Sequence, residues 1–181
     1  MHIDHFDTLD PPSARSVVTV WAAVPTWVDA LVAGRPYRST SVLTERAAQL
    51  AARWGRAELD AALAHHPRIG DRPTGTGPEA AASRREQASM AAADDAVAAR
   101  IAAGNRTYEE RFGRVFLVRA AGRSPVEMLA ELERRLGHDE DTETAEACEQ
   151  LAQIALLRLR DTVTDDADDG DVTATTKGTA P

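Results

Sequence analysis

Cysteine and lysine are each present only once in this chain. Cys148 is the only cysteine in 181 residues, so no intrachain disulfide can form, and a reducing compartment is the expected setting. Lys177 is the only lysine, so any body cation that grips an anionic or carbonyl oxygen is an arginine with planar, two-pronged donor geometry. Aromatics make up 4% of the chain, which leaves most of the core to Ala, Leu and Val. No apolar run is long enough to span a membrane. The first residues lack the charged-then-apolar pattern of a secretory leader, and the reading is a soluble cytoplasmic protein. No basic cluster provides a nucleic-acid footprint. The five histidines show no HxxxH spacing and there is no CxxC, so no metal site is expected.

What is present favours helix. Alanine is the best helix former, and Gly and Pro cluster between the apolar runs. The length suits one core. The expectation is an all-α, single-domain helical bundle over residues 1–162, with one short extended segment near residues 115–121. Formal net charge is -8, and from Asp161 onward six aspartates face one lysine. Residues 163–181 read as an acidic, disordered tail, too poor in apolar residues to pack.

Taken in order, Met1 to Pro12 is a polar lead-in that leaves His2 and His5 mobile. Val17, Val18, Trp21 and Val24 mark a short helix ended by Pro25, and Thr26 can cap the next one, which Gly34 ends. Leu43, Ala47, Leu50 and Trp54 share a helical face, as do Leu59 and Leu63 in a helix running from Arg56 to His65. An alanine-rich helix from about Pro78 is interrupted at Gly104, where Asn105 caps a new one carrying Tyr108 and Phe112. Ser124-Pro125-Val126-Glu127 is a capping box with proline at the first helical position. The last helix covers Thr142 to about Thr162.

Four stretches could carry chemistry. In His65-His66-Pro67-Arg68-Ile69-Gly70-Asp71, Pro67 biases His66 away from helical dihedrals and sets an imidazole at a helix end. The plain alternative is a histidine satisfying the last carbonyls. Ser83, Glu86 and Gln87 fall at i, i+3 and i+4, which gathers a hydroxyl, a carboxylate and an amide on one helix face; Ser-x-x-Glu is also a capping box. Arg158 follows a largely apolar stripe, either as a buried anion clamp or as a snorkelling surface residue. Phe112-Gly113-Arg114-Val115-Phe116-Leu117 either fills core or offers extended backbone to a planar, amide-rich ligand.

In sequence order and spacing, these stretches resemble the OHCU decarboxylases. The resemblance runs through His66-Pro67-Arg68-Ile69-Gly70-Asp71 and Ser83-x-x-Glu86-Gln87. It continues with Asn105-x-x-Tyr108-x-x-x-Phe112-Gly113-x-x-Phe116-Leu117 and Ile154-x-x-x-Arg158-Leu159, with Arg35-Pro36-Tyr37 and Arg135-Leu136-Gly137 also similar. It covers about residues 5 to 162. That family acts on 2-oxo-4-hydroxy-4-carboxy-5-ureidoimidazoline (OHCU), a late intermediate of urate breakdown. The resemblance implies an all-α fold, a homodimer, and neither cofactor nor metal. It implies His66 as the catalytic residue and substrate contacts from Pro67, from Ser83, Arg84, Arg85, Glu86 and Gln87, from Phe116, Leu117, Val118, Arg119 and Ala120, and from Arg158. Glu86 is expected to assist His66 in the proton transfers. Val115 stands where many members carry proline, so the backbone there has an extra N–H. Two rivals are a helical protein that binds an allantoin-like ureido ligand without turnover and a decarboxylase of a related ureido acid.

Overall fold

The computed structural model describes residues 1–64, 69, 81 and 93–165. Eight helices appear among them: α1 (Ile3–Thr8), α2 (Pro11–Trp21), α3 (Pro25–Ala33), α4 (Thr40–Ala51), α5 (Arg56–Leu63), α6 (Asp95–Phe112), α7 (Pro125–Arg135) and α8 (Glu140–Thr162). No strand is present among the described residues, so the all-α expectation holds. The long α8 is the axis of the bundle: α2, α4 and α5 pack on it, α3 bridges α2 and α4, and α6 pairs with α7.

The few aromatic residues are divided between two cores. Phe6, Trp21, Tyr37 and Trp27 are buried in the first, with Trp54 packed against it. Their rings form a chain, Phe6 to Trp21 at 5.6 Å, Trp21 to Trp27 at 6.4 Å and Trp27 to Trp54 at 5.5 Å, mostly edge-to-face. Tyr108, Phe112 and Phe116 belong to the second, smaller core with Ile69, Ile101, Met128, Leu129 and Leu132.

Side chains set the helix starts. Asp10, Asp94 and Asp139 accept from the backbone N–H of Ser13, Val97 and Thr142, filling orphan donors of the first turn. The Ser124–Glu127 capping box forms as read from the sequence. The Ser13 hydroxyl donating to Asp10, and these backbone bonds, hold Asp10, Glu127 and Asp139 below the usual carboxylate range. Thr26 is not the cap of α3; Val24 takes that place, with Pro25 in the first turn, where its missing N–H costs nothing.

Two further expectations are corrected. The lead-in is neither helix-free nor loose. Residues 3–8 form α1, and His2 pairs with Thr164 in a single parallel β-bridge. The Ile3 N–H donates to the Thr164 carbonyl and the Thr164 N–H to the Met1 carbonyl, both at 2.9 Å. Asp165 accepts from the Thr40 backbone and hydroxyl at 2.7 and 2.6 Å, and Val163 is buried. The body therefore reaches Asp165, and residues 166–181, where most of the acidic tail was read, lie outside the described residues. Arg35 ties α1 down by donating to the Phe6 and Leu9 carbonyls at 2.8 and 2.7 Å, and Tyr37 donates to the Leu31 carbonyl. The Arg35-Pro36-Tyr37 turn is thus an architectural clamp; its Arg35–Pro36 peptide is cis.

The second correction concerns Gly104 and Asn105, which interrupt nothing: α6 runs unbroken from Asp95 to Phe112. Gly104 is there for proximity. A Cβ at this position would lie 2.6 Å from Leu132 Cδ2 and 3.1 Å from its Cγ, and Leu132 is fully buried on α7. Gly104→Ala adds about 1 kcal/mol of helix propensity, but overpacking a buried side chain costs about 1–3 kcal/mol. A net loss of stability is expected by chemical denaturation; a midpoint at or above wild type would show that α6 and α7 are not in close contact there.

Candidate active site

The site is built around the extended segment after α6. Gly113 closes that helix in the left-handed region, φ 67°, where a Cβ would be strained. The chain then runs without helix or strand to Ala120, and its side chains alternate between the two cores, the period of an extended backbone. Phe116, Val118 and Ala120 enter the second core, while Leu117 enters the first and Val115 packs against it. The segment is a partition between the two cores. All of Phe116, Leu117, Val118 and Ala120 are buried.

A buried backbone with no strand beside it must bond to side chains or to a ligand. Two of its groups bond to side chains. Arg135 Nη1 donates to the Leu117 carbonyl at 2.7 Å, and the Arg119 N–H donates to Gln150 Oε1 on α8 at 2.9 Å. The Arg119 guanidinium donates to Gln153 and to the Ala121 carbonyl, at 3.1 and 3.0 Å, and so fixes the exit turn. The backbone groups of Phe116 and Val118 take no hydrogen bond from any described residue.

Arg158 is 9% exposed and lies on α8 in one stripe with Gln150 and Ile154, at i, i+4 and i+8. The buried reading of this arginine holds and the snorkelling one does not. Its Nη1 donates to the Val20 carbonyl at 3.0 Å, which fixes part of the fork, and the residue makes further polar contacts.

His66, Pro67, Ser83, Arg84, Arg85, Glu86 and Gln87 lie outside the described residues. Their neighbours give anchor points. Leu63 is buried at the end of α5, and Ile69 is buried in the second core. The Ile69 carbonyl accepts from Asn105 Nδ2 at 2.9 Å. Asn105 therefore bonds to the Ile69 carbonyl, 36 residues away in the chain, and is not the helix start read from the sequence. Of the expected contact residues, Phe116, Val118 and Ala120 lie in the second core and Leu117 in the first, and Arg119 bonds to Gln150 and Gln153 on α8.

Sequence reasoning missed the group that holds this segment in place. Arg135 and Glu143 are both fully buried, and Arg135 Nε lies 3.0 and 3.1 Å from the two Glu143 oxygens, with Nη2 also donating to Oε1. Tyr108 donates its hydroxyl to the same oxygen, and His138 Nδ1 lies 3.1 Å from the other. Burial, then the bond to Glu143, raises the Tyr108 pKa, so the phenol stays protonated and donating. Burial works against the Arg135 charge, yet Glu143 outweighs it and the net shift is upward. The Arg135 guanidinium sits 4.8 Å from the Phe116 ring centroid, and Tyr108 meets that ring edge-on at 5.2 Å. Arg135 and Tyr108 carried a faint signal as parts of longer motifs. Glu143 carried none, because an acidic residue in the first turn of α8 reads as ordinary dipole complementation.

The lone thiol has no place in this chemistry. Cys148 is buried, faces the Gly55 carbonyl at 3.6 Å, and its pKa is raised by burial, which keeps it protonated and unreactive. Among the described residues, no group of three or more His, Cys, Asp or Glu side chains could hold a metal ion. No helix of the described residues is long and apolar enough to cross a membrane.

Comparison with known proteins places this geometry in context. A family model described as OHCU decarboxylase matches residues 7–160. A 2-oxo-4-hydroxy-4-carboxy-5-ureidoimidazoline decarboxylase of Haloferax volcanii is 33% identical over 129 residues, 69% of this chain and 73% of that protein. One from Amia calva is 30% identical over 141 residues, 77% of this chain and 81% of its own length. Two solved structures share the fold, each with a TM-score of 0.66. One is an OHCU decarboxylase crystallised in the presence of (S)-allantoin, 22% identical, covering 77% of this chain and 92% of that one. The other is an (S)-allantoin synthase, 17% identical, covering 90% of this chain and 54% of that one.

Proposed function

From the premise that the chain belongs to the OHCU decarboxylase family, a family of carboxy-lyases, we propose that it converts OHCU to (S)-allantoin in urate degradation, with His66 as acid–base catalyst and Glu86 assisting. The chemistry suits a protein of this kind. When the C4–carboxylate bond breaks, its electron pair forms C4=C5 and the former C5=N pair takes up a proton on nitrogen. The 4-hydroxyl then releases its proton as C4=O forms, and C5 takes a proton on one face. The substrate carries its own electron sink, so pyridoxal phosphate or thiamine chemistry is not required.

The protein's tasks are to orient the carboxylate and to move protons. Arg158, as the buried cation on the α8 stripe, is assigned to anionic or carbonyl oxygens of the substrate. His66 is assigned to the C5 proton because an imidazole titrates near neutrality, where acid–base catalysis is efficient. Pro67 and the residues from Ser83 to Gln87 are assigned to the rest of the substrate in this reading.

The observation that supports the reading beyond family membership is the segment from Phe116 to Ala120. Its backbone is buried, held at Leu117 and Arg119 by side chains, and without a described protein partner at Phe116 and Val118. Such amides suit a flat, amide-rich ureido ring. Homodimeric assembly in the cytoplasm is part of the same proposal.

The test is circular dichroism of allantoin formation from urate, with urate oxidase and hydroxyisourate hydrolase supplied and this protein present or absent. A rapid rise of one-handed signal is expected. A slow, silent decay identical to the blank would overturn the decarboxylase reading in favour of a ligand-binding protein without turnover.

A further inference from the structure

Arg135 is spent entirely inside the protein, and its contacts converge on one place. Nη1 takes the Leu117 carbonyl, the guanidinium carbon lies over the Phe116 ring, and Nε and Nη2 grip Glu143. Glu143 is itself held by Tyr108, whose ring also meets the Phe116 ring edge-on. Three helices thus contribute one residue each: Tyr108 from α6, Arg135 from α7 and Glu143 from α8. On its outer side Glu143 faces His138, which also approaches Glu146 at 3.7 Å.

A pair needed only to tie α7 to α8 would not reach into an irregular segment. This one does so at the two residues that begin the substrate-facing stretch. The segment has no strand to set its register, so the position of the Phe116 and Val118 amides depends on where Leu117 is held. We propose that Arg135, locked by Glu143 and Tyr108, is a positioning residue that sets the register of residues 116–120 and thereby the strength of substrate binding. This rests on the decarboxylase reading above and adds to it a role for residues that do not touch substrate.

Arg135→Lys separates positioning from bulk stability. A lysine ammonium can still pair with Glu143, but it cannot at the same time donate to Leu117 and keep a cation over Phe116. With the protein folded at the assay temperature, as checked by far-ultraviolet circular dichroism and thermal unfolding, KM for OHCU is expected to rise about tenfold or more, with kcat falling less. Tyr108→Phe removes only the hydroxyl and keeps the ring. It is expected to shift KM in the same direction by about two- to fivefold, and it carries the test if Arg135→Lys does not fold.

An unchanged KM in the folded variants, with activity lost only in proportion to the unfolded fraction, would make the group purely structural and overturn the proposal. A wild type that leaves the spontaneous decay of OHCU unchanged overturns the decarboxylase reading, and this proposal with it. An active wild type with unaffected variants overturns this proposal alone.

Discussion

His66→Ala is expected to lower the rate of decarboxylation about 10²–10⁴-fold, the range for loss of a positioned general acid or base. The measurement is the initial rate of optically active allantoin formation, corrected for the spontaneous reaction. The substrate already accepts the electron pair, so what remains for the enzyme is proton timing and orientation. Removing the imidazole takes away the group whose ordinary pKa suits both giving and receiving a proton near neutrality. The proposed binding groups, Arg158 and the segment from Phe116 to Ala120, are untouched by this substitution, so KM is expected to change less than kcat. Glu86→Gln is the companion. If His66 delivers the C5 proton, His66→Ala erodes the one-handedness of the product more than Glu86→Gln does. Near-normal turnover by His66→Ala would sink the assignment and move the proton transfers to Glu86.

Glu143→Ala is expected to destabilise the protein by about 3–5 kcal/mol, the scale for breaking a buried ion pair from one side. Arg135 is fully buried, and without the carboxylate its guanidinium keeps only the Leu117 carbonyl and the Phe116 ring. Tyr108 would lose its acceptor as well. Whole domains are stable by about 5–15 kcal/mol, so the single variant stands near the edge of folding. The double variant Arg135→Met with Glu143→Leu removes both charges and replaces them with apolar volume. It is expected to recover much of the lost stability. Guanidinium denaturation of the two variants and wild type measures this directly. A loss below about 1 kcal/mol in Glu143→Ala would mean that the pair contributes little. If Arg135 positions the segment, the double variant is stable and still binds substrate weakly, because nothing holds the Leu117 carbonyl.

Local signals were legible where one residue type decides the outcome. The Ser124–Glu127 capping box forms because a hydroxyl and a carboxylate three residues apart satisfy each other's orphan donors regardless of what surrounds them. Gly113 ends α6 because the left-handed conformation favours a residue without Cβ. The extended stretch after it follows from a β-branched and aromatic run between two breakers. Gly104 and Asn105 show the opposite case. Their propensities argue for a break, yet Leu132 on α7 comes so close that a Cβ at Gly104 would overlap it, and Asn105 bonds to the Ile69 carbonyl. The lead-in looked too polar to pack, and its contacts at Thr164 and Asp165 lie at the far end of the chain.

The sequence by itself determined the helical class, most helix boundaries and the family, because these depend on local propensity and on motifs in a given order. It also singled out Arg158 and the segment from Phe116 to Ala120, though it left two readings of each. Only the tertiary structure decided that Arg158 is buried, that the segment divides two cores, and that Arg135, Glu143 and Tyr108 hold it. The reason is physical. Whether a charge is paired and desolvated depends on what three helices bring to one point, and Glu143 and Tyr108, 35 residues apart, share no local pattern that would announce it.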